Sequence, residues 1–192
     1  MDERQILLVT GVPGTGKTTV STLLAAKLGA EHIELTRLVR EGGLSQGWDK
    51  ERATVIADMK ALRNAISNIL DNTTSSLIID GHYSPDIVPR EETTLVVVLR
   101  SAPWVIKEKL LTRGYSTRKV RENVEAELLG TCLTDALAAQ DPEKVCEIDT
   151  TTQTPEETVK LVLAVLDGEV KCSHGAVDWM NSPEAEALLR EL

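Results

Sequence analysis

The segment of residues 11–18, with the sequence G-V-P-G-T-G-K-T, constrains the fold more than any other part of the chain. It follows a short apolar run at residues 6–9, typical of a strand buried on both faces, and precedes apolar positions at helical spacing from Val20 to Leu28. Glycines in such a loop let consecutive backbone N–H groups converge on an anion, and the helix N-terminus adds positive charge there. The full match to G-x-x-x-x-G-K-[ST] in this context predicts a phosphate-binding loop for a nucleoside triphosphate, rather than a chance glycine-rich turn.

This predicted loop gives individual side chains their roles. Lys17 is expected to bridge the terminal phosphates of ATP and to act in catalysis, and the Thr18 hydroxyl is expected to bind Mg²⁺. The residues predicted to contact ATP in this segment are Gly14, Thr15, Gly16, Lys17, Thr18 and Thr19.

Strand and helix patterns alternate along the chain. Further buried strands are expected around residues 33–35, 76–81, 94–100 and 144–149. The alternation predicts one α/β domain over residues 1–192, a P-loop NTPase with a mostly parallel five-stranded sheet and helices on both faces.

Capping residues mark the predicted starts of several helices. Ser116 is suited to the N-cap of one helix, and Thr154 with Pro155 is suited to the N-cap and first position of a later one. A serine followed by early glutamates predicts a short terminal helix within residues 182–192. It belongs to a tail, residues 169–192, that either docks on the body or binds a partner.

Three glycines interrupt a polar segment between the second predicted strand and the next helix. They are Gly42, Gly43 and Gly47, and they predict a mobile insert. Apolar residues then recur at helical spacing from Val55 to Ile69, which predicts an amphipathic helix ending near Asp71.

Composition limits the partners and the compartment. The formal net charge is −9, which opposes strong nucleic-acid binding by the chain alone and suits a basic protein partner. Cys132, Cys146 and Cys172 are widely spaced and odd in number, which favours reduced core thiols over disulfides or zinc ligands. No leader-like or membrane-spanning apolar run is found, so we expect a soluble, intracellular, cytoplasmic protein.

A carboxylate follows the third predicted strand at the edge where α/β sheets bind ligands. Asp80 ends the apolar run and is the predicted second Mg²⁺ ligand and a catalytic residue, although it could simply cap the turn before Gly81. His82 lies two residues on, so in extended chain its side chain would point the same way, toward the phosphates. Alternatively, His82 is an ordinary surface residue.

Basic residues are concentrated between positions 100 and 121, where the single acid is Glu108. The seven basic residues are Arg100, Lys107, Lys109, Arg113, Arg118, Lys119 and Arg121. In an acidic chain they predict an anion-facing surface, since arginines stabilise the charge of a phosphoryl group in transfer, although some are ordinary solvated charges. Arg113, beside Gly114, is the main candidate for this role. In the insert, Arg40 and, less strongly, Arg37 are candidates for a second substrate's phosphate.

Taken together, these motifs resemble the adenylate kinase type-six family, which includes the coilin-interacting nuclear ATPase of eukaryotes and its archaeal relatives. The motifs that carry the resemblance are GVPGTGKTT, LVREGGL, DGH, VVVLR and RGYSTRKVRENVEAELLG. The resemblance implies a nucleoside monophosphate-binding insert at residues 34–57, a lid at residues 112–122 whose Arg113 contacts ATP, and a Walker B-like pair at Asp80 and His82. Relatives often carry a bulky residue where this chain has Gly81.

The same resemblance implies the function. The expected protein is a monomeric, broad-specificity adenylate or nucleoside monophosphate kinase that uses Mg·ATP and AMP, has ATPase activity and acts in small ribosomal subunit maturation. One alternative is an ATPase that switches the assembly of a ribosomal platform protein, with kinase activity incidental. A small-molecule hydroxyl kinase is a third hypothesis, and a nucleotide-binding module without turnover is a fourth.

Overall fold

A five-stranded parallel sheet forms the centre of the computed structural model, which describes residues 4–52 and 54–191. Its strands lie in the order β2-β5-β1-β6-β7, and every neighbouring pair is parallel. This confirms the sheet predicted from the buried apolar runs. The strands are β1 Ile6–Thr10, β2 Glu31–Glu34, β5 Leu77–Asp80, β6 Leu95–Arg100 and β7 Val145–Asp149.

Helices cover both faces of this sheet, as the alternating pattern predicts. One face of β1 packs with α3 and α7, and the other packs with α1 and α8. Consecutive strand residues point to opposite faces, so Leu7 and Leu8 lie in different apolar clusters. The helices are α1 Lys17–Leu28, α2 Leu35–Glu41, α3 Met59–Asn72, α4 Ser84–Ile87, α5 Pro103–Thr112, α6 Thr117–Leu128, α7 Thr131–Ala139, α8 Pro155–Leu166 and α9 Pro183–Glu191.

The predicted helix caps are present. Ser116 Oγ accepts from the backbone N–H of Lys119 at the start of α6. Thr154 and Glu157 form a reciprocal capping box at the start of α8, whose first residue is Pro155. These side chains satisfy backbone N–H groups that have no partner inside the helix, which fixes where each helix begins.

The glycine-rich insert contains a β-hairpin that the sequence patterns did not predict. β3 (Ser45–Asp49) pairs antiparallel with β4 (Thr54–Ala57), with an irregular register between Ser45 and Gly47. Val55 therefore lies in a strand, and the prediction that places it in the following helix is wrong. α3 begins only after Asp58, whose carboxylate accepts from two N–H groups of its first turn.

The tail docks on the body of the protein. α9 packs against α5, and its buried Ala185 and Leu188 join the cluster formed by α5 and α6. Trp179 packs edge-on against Trp104, and its indole N–H donates to Glu127 of α6. The sequence left open whether the tail docks on the body or binds a partner, and in the structure it docks on the body.

The prediction that all three cysteines are reduced thiols is wrong for two of them. The tail runs beside β7, where the N–H of Glu147 donates to the carbonyl of Ser173. This brings the Cα atoms of Cys146 and Cys172 to 5.1 Å, and their sulfurs form a disulfide. Cys132 remains a free thiol. Within the two stretches described, no helix combines the length and apolar character needed to cross a membrane.

Candidate active site

The loop between β1 and α1 is held in one conformation by its own contacts. Gly11 has φ +138°, and a Cβ there would lie 2.3 Å from the carbonyl oxygen of Leu99, so only glycine fits. The Thr15 hydroxyl donates to the carbonyl of Val12 at 3.0 Å. The loop leads directly into α1, whose first residue is Lys17.

Lys17 lies at the floor of this loop. Its ammonium donates to the carbonyl of Val12 at 3.1 Å. Burial lowers the pKa of Lys17, and the nearby Asp80 carboxylate opposes that shift. A phosphate would offer the ammonium a stronger partner than a neutral carbonyl, because charge-assisted hydrogen bonds are the stronger class.

Asp80 ends β5 beside this loop and is almost fully buried. Its Oδ2 lies 3.2 Å from Nε2 of His32, which reaches across from the neighbouring strand β2. With Asp80 ionised, Nε2 carries the hydrogen and donates it. The carboxylate is thereby oriented into the cleft, while the other ring nitrogen lies 3.4 Å from the Thr22 hydroxyl of α1.

Gly81 and His82 continue from Asp80. Gly81 has φ +150°, and a Cβ would lie 2.9 Å from two side-chain carbons of Leu35, which explains why this chain has no bulky residue there. Crowding by surrounding protein and the charge of Lys17 lower the pKa of His82 to about 4, although the residue faces the open cleft. Its ring lies against Tyr83, with ring centroids 3.7 Å apart.

These residues surround one cleft of about 740 Å³. Its walls come from the phosphate loop, the end of β5, the hairpin β3–β4 and helices α6 and α7. This volume falls in the range of small-molecule and cofactor sites. The predicted site residues that line it are Gly14, Gly16, Lys17, Thr18, Thr19, Asp80, His82 and Arg113.

Three predicted site residues are not among those that line the cleft. Thr15 is buried behind the loop, where its side chain holds the loop's shape. Arg40, on α2, is 67% exposed and lies 3.7 Å from its neighbour Glu41, outside the cleft walls. Arg37 is an exposed residue of the same helix. The structure therefore does not bring Arg37 or Arg40 together with the other candidates.

Only part of the predicted basic surface faces the cleft. Arg113 follows the last turn of α5, and Lys119 lies in the first turn of α6 with its ammonium 4.6 Å from the centre of the Tyr115 ring. Arg100 was expected to face an anion, but it is 3% exposed and pairs with Glu127 and Glu147. That expectation is wrong for Arg100, because its guanidinium serves as an internal counter-ion.

Local sequence patterns did not mark His32, Arg52 or Glu122 as site residues. His32 precedes the expected apolar run, and its role depends on β2 lying next to β5, which no local pattern reveals. Arg52 and Glu122 reach the cleft from the hairpin and from α6. The many charged residues around Arg52 and around Glu122 can be seen in the sequence. That these two side chains pair with each other depends on the fold.

The donor set at the cleft fits a magnesium ion bound with nucleotide phosphates. Asp80 supplies a buried carboxylate and Thr18 a hydroxyl, both hard oxygen donors facing the same space. Mg²⁺ is usually held by one or two carboxylates together with substrate phosphates and water, so a small protein donor set is sufficient.

Comparisons with known proteins agree with this architecture. A family model described as "AAA domain" matches residues 7–130. A solved shikimate kinase from Bacteroides thetaiotaomicron has a TM-score of 0.58 at 18% identity and covers 85% of this chain and 98% of that one. The YorR protein of Bacillus subtilis, solved with phosphorylated GDP, has a TM-score of 0.60 at 18% identity, with 86% and 97% covered. At such identities these two structures establish the P-loop kinase fold alone.

A relative with much higher identity extends over almost the whole chain. It is a protein named "Putative adenylate kinase" from Thermococcus gammatolerans, 41% identical over 174 residues. The aligned region covers 91% of this chain and 92% of that protein. The chain therefore belongs to the family of these archaeal proteins named "Putative adenylate kinase".

Proposed function

We propose that the protein is an adenylate or broad-specificity nucleoside monophosphate kinase that catalyses ATP + AMP = 2 ADP. The observation that carries the proposal is the convergence of Lys17, Asp80 and Arg113 on one cleft large enough for nucleotides. The name of its relatives supports the same activity.

The chain's own residues supply most of the chemistry. Backbone N–H groups of the phosphate loop bind the ATP phosphates, and Lys17 contacts the oxygens on which negative charge develops during transfer. Arg113 lines the same cleft and stabilises the same charge. Thr18 and Asp80 would hold Mg²⁺, which would neutralise part of the negative charge of the phosphates.

The transfer itself is an in-line displacement. An oxygen of the AMP phosphate forms a bond to the γ-phosphorus of ATP as the bond from that phosphorus to the β,γ-bridging oxygen breaks, which yields two ADP. The insert predicted at residues 34–57 and the lid predicted at residues 112–122 both supply residues to the cleft walls. Their closure over both substrates would exclude water as a competing acceptor.

The acceptor is identified by a panel of substrates. Purified protein with Mg·ATP is assayed for ADP formation with AMP, with each other nucleoside monophosphate, and with shikimate and gluconate. We expect AMP to give the highest rate.

A small-molecule hydroxyl kinase is the competing proposal, because Glu34, Asp86 and Asp135 also line the cleft and can accept hydrogen bonds from hydroxyls. Turnover of a polyol in place of any monophosphate would favour it.

ATP hydrolysis is a second activity that the cleft favours. His82 lines the cleft two residues after Asp80, where its neutral ring can accept a hydrogen bond from an attacking water. We expect His82→Ala to lower phosphate release from ATP about tenfold or more, with a much smaller effect on ADP formation from AMP. Both rates are measured on one preparation. Equal, small effects would return His82 to the role of a surface residue.

The contact from His32 to Asp80 gives a separate prediction. We expect His32→Ala to raise the Mg²⁺ concentration needed for half-maximal activity about tenfold, since partners that orient a metal ligand contribute on this scale. His32→Gln retains an N–H donor and should recover part of the loss. Identical Mg²⁺ dependence in all three proteins would show that Asp80 does not need this partner.

A role in small ribosomal subunit maturation is the remaining part of the proposal. It is supported by the resemblance of the motifs and by a net charge of −9, which suits a basic ribosomal protein as partner. Capture of such a protein at low salt, and its loss at higher salt, tests this contact directly.

A further inference from the structure

The tip of the hairpin β3–β4 contacts α6 through a cluster of five charged side chains, here called the hairpin–α6 charge cluster. Arg52 Nε donates to Glu122 at 2.9 Å and its Nη1 donates to Asp49 at 3.1 Å. Arg118 donates to Glu51 at 2.6 Å and to Glu122 at 3.1 Å. The cluster consists of Asp49, Glu51, Arg52, Arg118 and Glu122.

Arg52 differs from the other arginine of this cluster because it lines the cleft. Arg118 and Glu51 are not among the residues of the cleft walls. Nε and Nη1 of Arg52 are occupied by carboxylates, whereas Nη2 has no protein partner within residues 4–52 and 54–191. A guanidinium can engage an anion through two parallel N–H groups, so Arg52 can receive a ligand from the cleft side.

A second phosphate in this cleft needs a cation that ATP does not use. In the part of the chain that is described, the basic residues of the cleft walls are Lys17, Arg52, Arg113 and Lys119. Lys17 lies under the phosphate loop, and Arg113 and Lys119 come from the α5–α6 corner. Arg52 comes from a different element, the tip of the hairpin β3–β4, and Arg40 lies outside the cleft walls.

We propose that Arg52 binds the phosphate of the acceptor nucleotide and that this phosphate replaces Glu122 as its partner. The exchange leaves no carboxylate unpaired, because Glu122 uses a different oxygen for Arg118 and keeps that contact. The Arg52–Glu122 pair is exposed and therefore weak, whereas a phosphate engaged through two N–H groups is a stronger partner. Asp49 continues to orient the guanidinium at the hairpin tip.

This inference rests on the proposed monophosphate kinase function, so wild-type ADP formation from AMP is measured first. The KM for AMP and the KM for ATP are then determined for Arg52→Gln and Arg52→Lys. Glu51→Gln is the matched control, because it breaks a contact between the same hairpin and the same helix outside the cleft. Glu122→Gln removes the charge that competes with the phosphate. Melting curves confirm that each variant is folded, and calorimetric titration with AMP supplies a readout without turnover.

We expect Arg52→Gln to raise the KM for AMP about tenfold or more while the KM for ATP stays within about twofold, since a hydrogen bond between charged groups is lost at the acceptor alone. The KM for AMP of Arg52→Lys should lie between those of the wild type and Arg52→Gln. Glu51→Gln should have the wild-type KM for AMP, and Glu122→Gln should have a lower one. An unchanged KM for AMP in Arg52→Gln, or equal shifts in Arg52→Gln and Glu51→Gln, would overturn the role of Arg52. A wild-type protein that makes no ADP from any monophosphate would instead overturn the proposed function.

Discussion

Replacing Lys17 with alanine is expected to abolish both ADP formation from AMP and ATP hydrolysis, with a loss of about a thousandfold or more. Both reactions pass through a transition state in which charge spreads over the γ-phosphoryl oxygens, and Lys17 is the cleft cation fixed under the phosphate loop. Initial rates with saturating Mg·ATP, with and without AMP, measure the effect.

The matched control for Lys17 is Lys27, which lies on the same helix. It is exposed in the last turn of α1 and does not line the cleft, so Lys27→Ala should retain wild-type rates. Both variants should melt within a few degrees of the wild type, because neither lysine fills the apolar core. A Lys17→Ala protein with more than a tenth of the wild-type rate would contradict the assignment of the phosphate loop.

The largest effect on stability is expected at Arg100. Its guanidinium pairs with Glu127 and Glu147, and all three side chains are at most 3% exposed. Arg100→Ala leaves two carboxylates buried without their cation and is expected to lower the free energy of unfolding by about 3–5 kcal/mol. Glu147 also accepts three N–H groups of the tail, at residues 175–177, so Arg100 holds in place the carboxylate on which the tail docks.

Urea denaturation followed by circular dichroism measures this loss. Arg118→Ala is the comparison, because Arg118 also pairs with two glutamates but is 53% exposed and shielded by water. Its effect should stay within about 1 kcal/mol. If both variants lose a similar, small amount of unfolding free energy, burial of the Arg100 ion pairs does not make their loss more destabilising.

Local patterns in the sequence predicted the features whose causes are local. The phosphate loop is defined by glycines and a lysine at fixed spacing, and the helix starts at Ser116 and Thr154 follow from hydroxyls that accept nearby N–H groups. The apolar runs of β1 and β6 predicted buried parallel strands, because both of their faces are covered by helices.

Features that depend on the order of the strands could not be predicted in this way. His32 meets Asp80 only because β2 lies beside β5, although 48 positions separate the two residues. Arg100 looked like part of an anion-binding surface, because the sequence does not reveal that Glu127 and Glu147 fold against it. The disulfide likewise depends on the path of the tail along β7.

The proposed transfer of the γ-phosphate of ATP to a nucleoside monophosphate can be followed directly in solution. Phosphorus NMR of a mixture of Mg·ATP, AMP and catalytic amounts of protein follows every phosphate at once, with Lys17→Ala as the blank for contaminating kinases. We expect the AMP and γ-phosphate signals to fall together while the ADP signals rise, with little inorganic phosphate. An AMP signal that stays constant, whether ATP persists or is converted to ADP and inorganic phosphate, would contradict it.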